Sequence, residues 1–172
     1  MKIDVNLDLV KKAKKGDASA FIQLCENYQI VLYNSAYKLL KNENDVVDCI
    51  QETEIQAWQS INQLKKDNTF NTWFFRIMIN KAKNILRRRV EEIEIEEKHS
   101  QIWFDKNRFE PLSEALNKLS EEHKIPLVLH YYAGFSYKEI AEQLAISPNT
   151  VRTRVARGKT KLKYLLEEEY NG

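Results

Sequence analysis

From Phe21 to Leu39 the residues Phe21, Leu24, Cys25, Tyr28, Val31, Leu32, Ser35, Ala36 and Leu39 recur at steps of three and four. That spacing keeps one mostly apolar face along an α-helix. The period recurs on either side. Leu9, Val10 and Ala13 precede a break at Lys15, Gly16 and Asp17. Asn42 to Asn44 reads as a turn, with Asp45 as the N-cap of a helix whose apolar contacts are Val46, Ile50, Thr53, Ile55, Ala57, Trp58 and Ile61. The polar run QLKKDNT, residues 63–69, interrupts the pattern. Phe70 then opens a helix that offers Trp73, Phe74, Ile77, Met78, Ala82, Ile85 and Leu86 to a core. Four Gly and three Pro in 172 residues, with 43% hydrophobic and 30% charged residues, argue against a turn-rich β-sandwich, collagen or low-complexity disorder. The expected fold is all-α, with a compact helical bundle up to about Arg89.

A second helical unit begins near Pro111. Leu112, Ala115, Leu116 and Leu119 keep helical spacing, Pro126 sits early in the next run, and Gly134 is placed to end it. Ser136 with Glu139 three residues on is a capping box that opens a short helix through Ile140, Ala141 and Leu144. Ser147 is a second N-cap with Pro148 at the first helical position, where its missing N–H costs nothing. Two helices joined at Ala145 and Ile146 make a helix-turn-helix, with Ile140, Leu144, Ile146, Val151 and Val155 as its interior and small Ala141 allowing close approach. Its second helix presents Asn149, Thr150, Arg152, Thr153, Ala156 and Arg157. Recognition helices offer such side chains to base edges in the major groove, where Arg can hold guanine and Asn adenine through paired hydrogen bonds. At 172 residues, the two units are each of small-domain size.

The formal net charge of +2 hides an uneven distribution. Residues 71–90 contain Arg76, Lys81, Lys83, Arg87, Arg88 and Arg89 and no acid; residues 147–166 contain Arg152, Arg154, Arg157, Lys159, Lys161 and Lys163 and no acid. Between them Glu91, Glu92, Glu94, Glu96 and Glu97 alternate with Ile93 and Ile95, and the following HSQIWFDKNRFEP, bearing Ile102, Trp103 and Phe104, has no sustained helical or strand period, so the segment reads as an acidic linker. Two basic blocks on separable helical units point to a polyanion, because Lys and Arg arrays gain binding free energy by releasing counterions from phosphates. Arg76, Asn80, Lys83 and Arg87, spaced four, three and four apart, form one polar stripe. Asn80 interrupts the cations with an amide that donates and accepts, which suits reading an unstacked base, and Trp73, Phe74 and Phe75 stand one turn before it. The same stripe also fits a plain solvated helix face, with Trp73 and Phe74 in the core.

Other classes find little support. His99, His123 and His130 lack metal-site spacing, there is no glycine-rich phosphate loop, and no serine has an evident histidine partner. No catalytic residue, cofactor or metal is expected. Cys25 and Cys49 fall on apolar helix faces as small core residues rather than a disulfide framework. Met1 is followed by Lys2, Asp4 and Asp8 rather than an apolar signal core, and no window reaches the 18 to 20 apolar residues of a membrane span, so a reduced cytoplasmic protein without direct membrane insertion is expected.

In order and spacing, KKGDASAF, DVVDCIQETEIQAW and FNTWFFRIMINKAKNILRRR resemble region 2, and FSYKEIAEQLAISPNTVRTRVARGKTKL resembles region 4, of the extracytoplasmic-function sigma factors of bacterial RNA polymerase. The resemblance covers nearly the whole chain. It implies a region 2 domain over 1–90, a linker over 91–110 and a region 4 domain over 111–172. It implies transcription initiation at the promoters of a stress or envelope response. Asp45, Asp48, Gln51, Glu52 and Trp58 fall where the family docks on the clamp helices of the largest polymerase subunit, and region 4 would meet the polymerase flap. The loop residues Gln63, Lys65, Lys66 and Asn68 with Asn80 correspond to the pocket for a flipped base of the −10 element, while Arg76, Lys81, Lys83, Arg87 and Arg88 would hold the strand. Asn149, Thr150, Arg152, Thr153, Arg154, Arg157 and Lys161 would face the −35 element. The acidic linker would thread towards the RNA exit channel. An anti-sigma factor, membrane-anchored in many members, is the further partner implied.

A sequence-specific regulator that merely shares the helix-turn-helix is the competing class, its N-terminal bundle serving dimerisation or sensing. A regulator binds duplex stably by itself; a sigma factor directs transcription only with core polymerase.

Overall fold

The computed structural model describes residues 4–96 and 111–171, so Glu97, His99, Ile102, Trp103 and Phe104 lie outside the described residues. All regular structure among the described residues is helical. Helix α1 (Leu7–Lys14) is capped by Asn6, whose side chain accepts from the Leu9 N–H at 3.2 Å. The expected break follows: Gly16 takes φ +93° and Asp17 caps α2 (Ala18–Leu40) by accepting from the Ala20 N–H at 3.0 Å. The apolar stripe of α2 is buried as its period requires, with Leu24, Tyr28, Leu32 and Ala36 at most 1% exposed.

Helix α3 (Glu43–Ser60) starts two residues before the expected Asp45 cap, because the Asn42 side chain accepts from the Asp45 N–H and Lys41 ends α2 in the left-handed region. Val46, Cys49, Thr53, Ala57 and Ile61 face the core, and Thr53 spends its hydroxyl on the Cys49 carbonyl at 2.6 Å. Ile55 does not: it is 58% exposed, since its register falls on the outer face of α3. Residues 63–69 are not one open loop. Two 3₁₀ turns, Ile61–Gln63 and Asp67–Thr69, flank Leu64, whose side chain is buried and whose carbonyl accepts from Lys14 Nζ at 2.8 Å. The same ammonium pairs with Asp67 at 2.7 Å, which fastens the segment to α1.

Helix α4 (Phe70–Glu96) packs Phe70 and Phe74 edge-on against Tyr28, at 5.6 and 5.9 Å, with the two phenylalanine rings tilted against each other at 5.2 Å. It continues six residues beyond residue 90, so backbone expected to be linker is helical: the Glu-rich run contains no Gly or Pro to stop it. The second unit comprises α5 (Pro111–Asn117), α6 (Glu121–Tyr131), α7 (Tyr137–Leu144) and α8 (Pro148–Asn171). Pro126 lies inside α6, and Gly134, at φ +73°, turns the chain after it while the Phe135 N–H returns to the Leu129 carbonyl. The two units are in contact: α4 meets α7, and α2 meets α5 and α6.

Candidate nucleic-acid interface

The helix-turn-helix forms as its caps dictate. Ser136 and Glu139 close the capping box reciprocally, with the Ser136 N–H donating to Glu139 at 2.9 Å. Ala145 turns the chain at φ +55°, the Ile146 N–H returns to the Ala141 carbonyl, and Ser147 Oγ accepts from the Thr150 N–H at 3.0 Å. Ile140, Val151 and Val155 are at most 2% exposed, while Leu144 and Ile146 are half-buried at the rim.

On α8, Asn149, Arg152, Thr153, Arg157 and Lys161 are all exposed. Three of the side chains assigned to the −35 element are otherwise engaged. Thr150 is half-buried with its hydroxyl against Ser147 at 2.8 Å, Thr153 donates its hydroxyl to the Asn149 carbonyl at 3.0 Å, and Arg154 turns to α6, its guanidinium 3.6 Å from Glu122. The exposed set therefore narrows to one amide, one threonine methyl and three cations.

In the N-terminal bundle, Asn80, Arg87 and Arg88 are exposed, as are Gln63, Lys65, Lys66 and Asn68 on the fastened 3₁₀ segment. From Phe70 to Asn80 the helix rises about 15 Å. The segment and the amide thus stand at two ends of a track along α4 rather than at one point. Of the aromatics one turn before Asn80, Phe74 and Phe75 are core residues at 0% and 1% exposure, leaving only half-buried Trp73 near the surface. Arg76 donates to the Glu142 carbonyl of α7, and Lys81 turns to α3, 3.3 Å from Glu52. The Asn80 stripe keeps its expected side of α4, but Lys81 belongs to the neighbouring one.

The residues assigned to polymerase divide likewise. Asp48 and Gln51 are exposed beside Val47 and Ile55, and Trp58 is 38% exposed while its ring packs 5.1 Å from Phe21. Asp45 is held by Arg89, which also donates to the Leu40 carbonyl at 2.8 Å, so Asp45 and Glu52 both tie α3 to α4. Sequence reading missed Lys14, Arg89 and Glu122 as positioning residues, because their partners lie 53, 44 and 32 residues away (67 − 14, 89 − 45, 154 − 122) and leave no local signal.

No group of three or more metal-binding side chains occurs among the described residues, and no described helix is long and apolar enough to cross a membrane. Burial pushes the Cys25 and Cys49 thiols up to about 12, which suits packing rather than nucleophilic chemistry.

Comparison with known proteins accords with this geometry. Sigma-70 region 2 matches residues 24–91 and sigma-70 region 4 matches residues 109–162. The chain is 30% identical to the RNA polymerase sigma factor NccH of Alcaligenes xylosoxydans xylosoxydans, over 92% of this chain and 93% of that one. It is 31% identical to the ECF RNA polymerase sigma-E factor of Haemophilus influenzae, over 88% of this chain and 89% of the relative. The solved structure of CnrH in complex with the cytosolic domain of CnrY superposes with a TM-score of 0.77 at 28% identity, covering 96% of this chain and 99% of that one. With both regions matched in order and the helix-turn-helix at the end of the second, this chain belongs to the ECF sigma factors, the promoter-recognition subunits with which bacterial RNA polymerase initiates transcription.

Proposed function

We propose that this chain divides promoter recognition between its two units, with a boundary at the end of α4. Asn80 captures an unstacked base of the −10 element while Arg76, Lys83, Arg87 and the segment residues Gln63, Lys65, Lys66 and Asn68 hold the strand; Arg88 and Lys81 flank it. Asn149, Arg152, Arg157 and Lys161 on α8 read the −35 duplex, with Thr150, Thr153 and Arg154 shaping that surface. The observation that supports this reading best is the exposed amide of Asn80 set among cations on α4. A face that only bound phosphate would gain more from a fourth cation. Asp48, Gln51, Ile55 and Trp58 form the docking face for the polymerase clamp helices, the carboxylate and amide suiting an arginine-rich partner, with Asp45 and Glu52 holding that face in register. Region 4 meets the flap. The protein acts in the cytoplasm without catalysing a reaction of its own, serves a stress or envelope-response regulon, and is held in check by an anti-sigma factor. CnrH bound to the cytosolic domain of CnrY is the related case.

The test is run-off transcription from a genomic fragment library with core polymerase, with and without this protein, followed by sequencing of the new starts. Starts sharing two upstream elements are expected. Asn80→Ala should slow open-complex formation while leaving core binding and folding unchanged. An unaltered rate for that variant refutes the role given to Asn80. Duplex retention by the protein alone, without new starts, favours an independent regulator.

A further inference from the structure

The connection between α3 and α4, which carries Gln63, Lys65, Lys66 and Asn68, has two inward members. Leu64 is 6% exposed and Asp67 is part-buried, whereas the four residues assigned to the strand are all exposed. One ammonium group from another element holds both inward members: Lys14 Nζ donates to the Leu64 carbonyl at 2.8 Å and to the Asp67 carboxylate at 2.7 Å. The hydrogen bonds within the segment are local, from the Leu64 N–H to the Ile61 carbonyl and from the Thr69 N–H and hydroxyl to the Lys66 carbonyl. They shape each 3₁₀ turn but do not fix where the pair of turns sits on the bundle.

Lys14 is the last residue of α1, and α1 is a firm mount. Val10 and Ala13 are at most 1% exposed, Asn6 caps the start, and past the end the Gly16 N–H returns to the Ala13 carbonyl at 2.9 Å and the Asp17 N–H to the Lys12 carbonyl at 3.1 Å. The Lys14 and Asp67 side chains are 25% and 24% exposed, so their link is shielded from salt more than an open surface pair. Hydrogen bonds to charged groups are short and strong, as both distances are. Removing either group leaves its partner's charge largely out of water and unpaired. A carboxylate so released lies between Lys66 and Asn68 in the chain, where it competes with DNA phosphate for the neighbouring lysines.

We propose that Lys14 is a positioning residue for the −10 strand: by fastening the 63–68 segment to α1, it fixes the register in which the strand runs along α4 to Asn80. The proposal rests on the assignment of that segment and of Asn80 to the strand. The 15 Å or so of helix between them is several times the roughly 3.4 Å step between stacked bases. A segment free to shift by one such step would present Asn80 with the wrong base. Lys14 touches no base itself; it decides which base arrives. Holding the segment in place beforehand also means that its ordering does not weaken the binding of DNA.

The experiment measures open-complex formation by core polymerase carrying the full chain, on a promoter recovered by run-off transcription, with each of the four bases placed in turn at every −10 position. In Lys14→Gln and in Asp67→Ala the preferred base should lose about fivefold of its advantage over the next, with affinity for core polymerase unchanged. That ratio does not depend on how much chain is folded. A merely structural role for Lys14 lowers every rate together and leaves the ratio as it was, which overturns the proposal. Combining the two changes should be no worse than the more severe of them, since both cut one link; fully additive losses would mean that the two groups act apart and would overturn it as well. Should Lys14→Gln lose helical circular dichroism, Asp67→Ala carries the test, because it leaves α1 unaltered. Asn80→Ala on the same series separates this role from the reading beneath it. If that variant also keeps every ratio, the −10 reading falls and the positioning role with it; if it lowers a ratio that Lys14→Gln and Asp67→Ala keep, the positioning role alone is overturned.

Discussion

At the scale of single residues, what an ionic or polar side chain does here is decided by the neighbour it meets. Arg152 is exposed on α8 and meets no ion-pair partner among the described residues, whereas Arg154, two residues on, is drawn to Glu122. Arg152→Ala should therefore cost about 1–3 kcal/mol, concentrated at one position of the −35 element. A promoter-substitution series measures this, and uniform weakening across all positions would reduce Arg152 to a phosphate contact. Cys49 is fully buried, its Sγ donating to the Met78 carbonyl at 3.6 Å, and burial raises the thiol from 9.0 to about 12. The unfolded chain ionises this thiol near its ordinary value while the folded chain keeps the proton. The stability tied to the neutral thiol is complete below about pH 9 and is lost as pH climbs towards 12. Denaturant midpoints at pH 8 and 10.5 should diverge less in Cys49→Ala than in the unaltered chain. The exposure of Asn80 was legible from its place on the stripe, but the pairing of Lys81 with Glu52 was not, because the partner sits on another helix.

At the scale of elements, caps and periods did most of the specifying. Ser136 with Glu139, Ser147 with Pro148, and the α2 stripe all have local causes and all form where the sequence places them. The start of α3 shifted because Asn42 and Asp45 are both good caps, and Asn42 has the extended backbone that a cap needs. Close helix contact leaves a fainter trace. Gly158, in the middle of α8, has no turn to make. A Cβ there would sit 2.7 Å from Leu127 Cδ1 and 3.3 Å from His123 Cβ on α6. Gly158→Ala gains about 1 kcal/mol of helix propensity but crowds a packed side chain by more, a net loss of about 1 kcal/mol. In a Leu127→Ala background the same change should become stabilising, since the crowded atom is gone. Thermal denaturation of the four proteins of this cycle measures the reversal, and simple additivity would mean that the two helices slide apart to make room.

At the scale of the whole molecule, 27 basic and 25 acidic residues nearly cancel, so affinity for DNA depends on where the charges lie rather than on their sum. Lys83→Gln should lower the slope of log affinity against log salt for holoenzyme–promoter binding by about one, as expected for one lost phosphate contact. An unaltered slope would place Lys83 in solvent. By itself the sequence determined the all-α class, two helical units, the helix-turn-helix and the basic stripe. Each of these follows from forces acting within a few residues: helical period, capping and the charge run. Only the tertiary structure decided that α4 meets α7, that Phe75 is covered beside Phe135, and that Glu122 holds Arg154. Those contacts join residues far apart in the chain, and their free energy depends on packing and desolvation at a meeting point that no local pattern encodes.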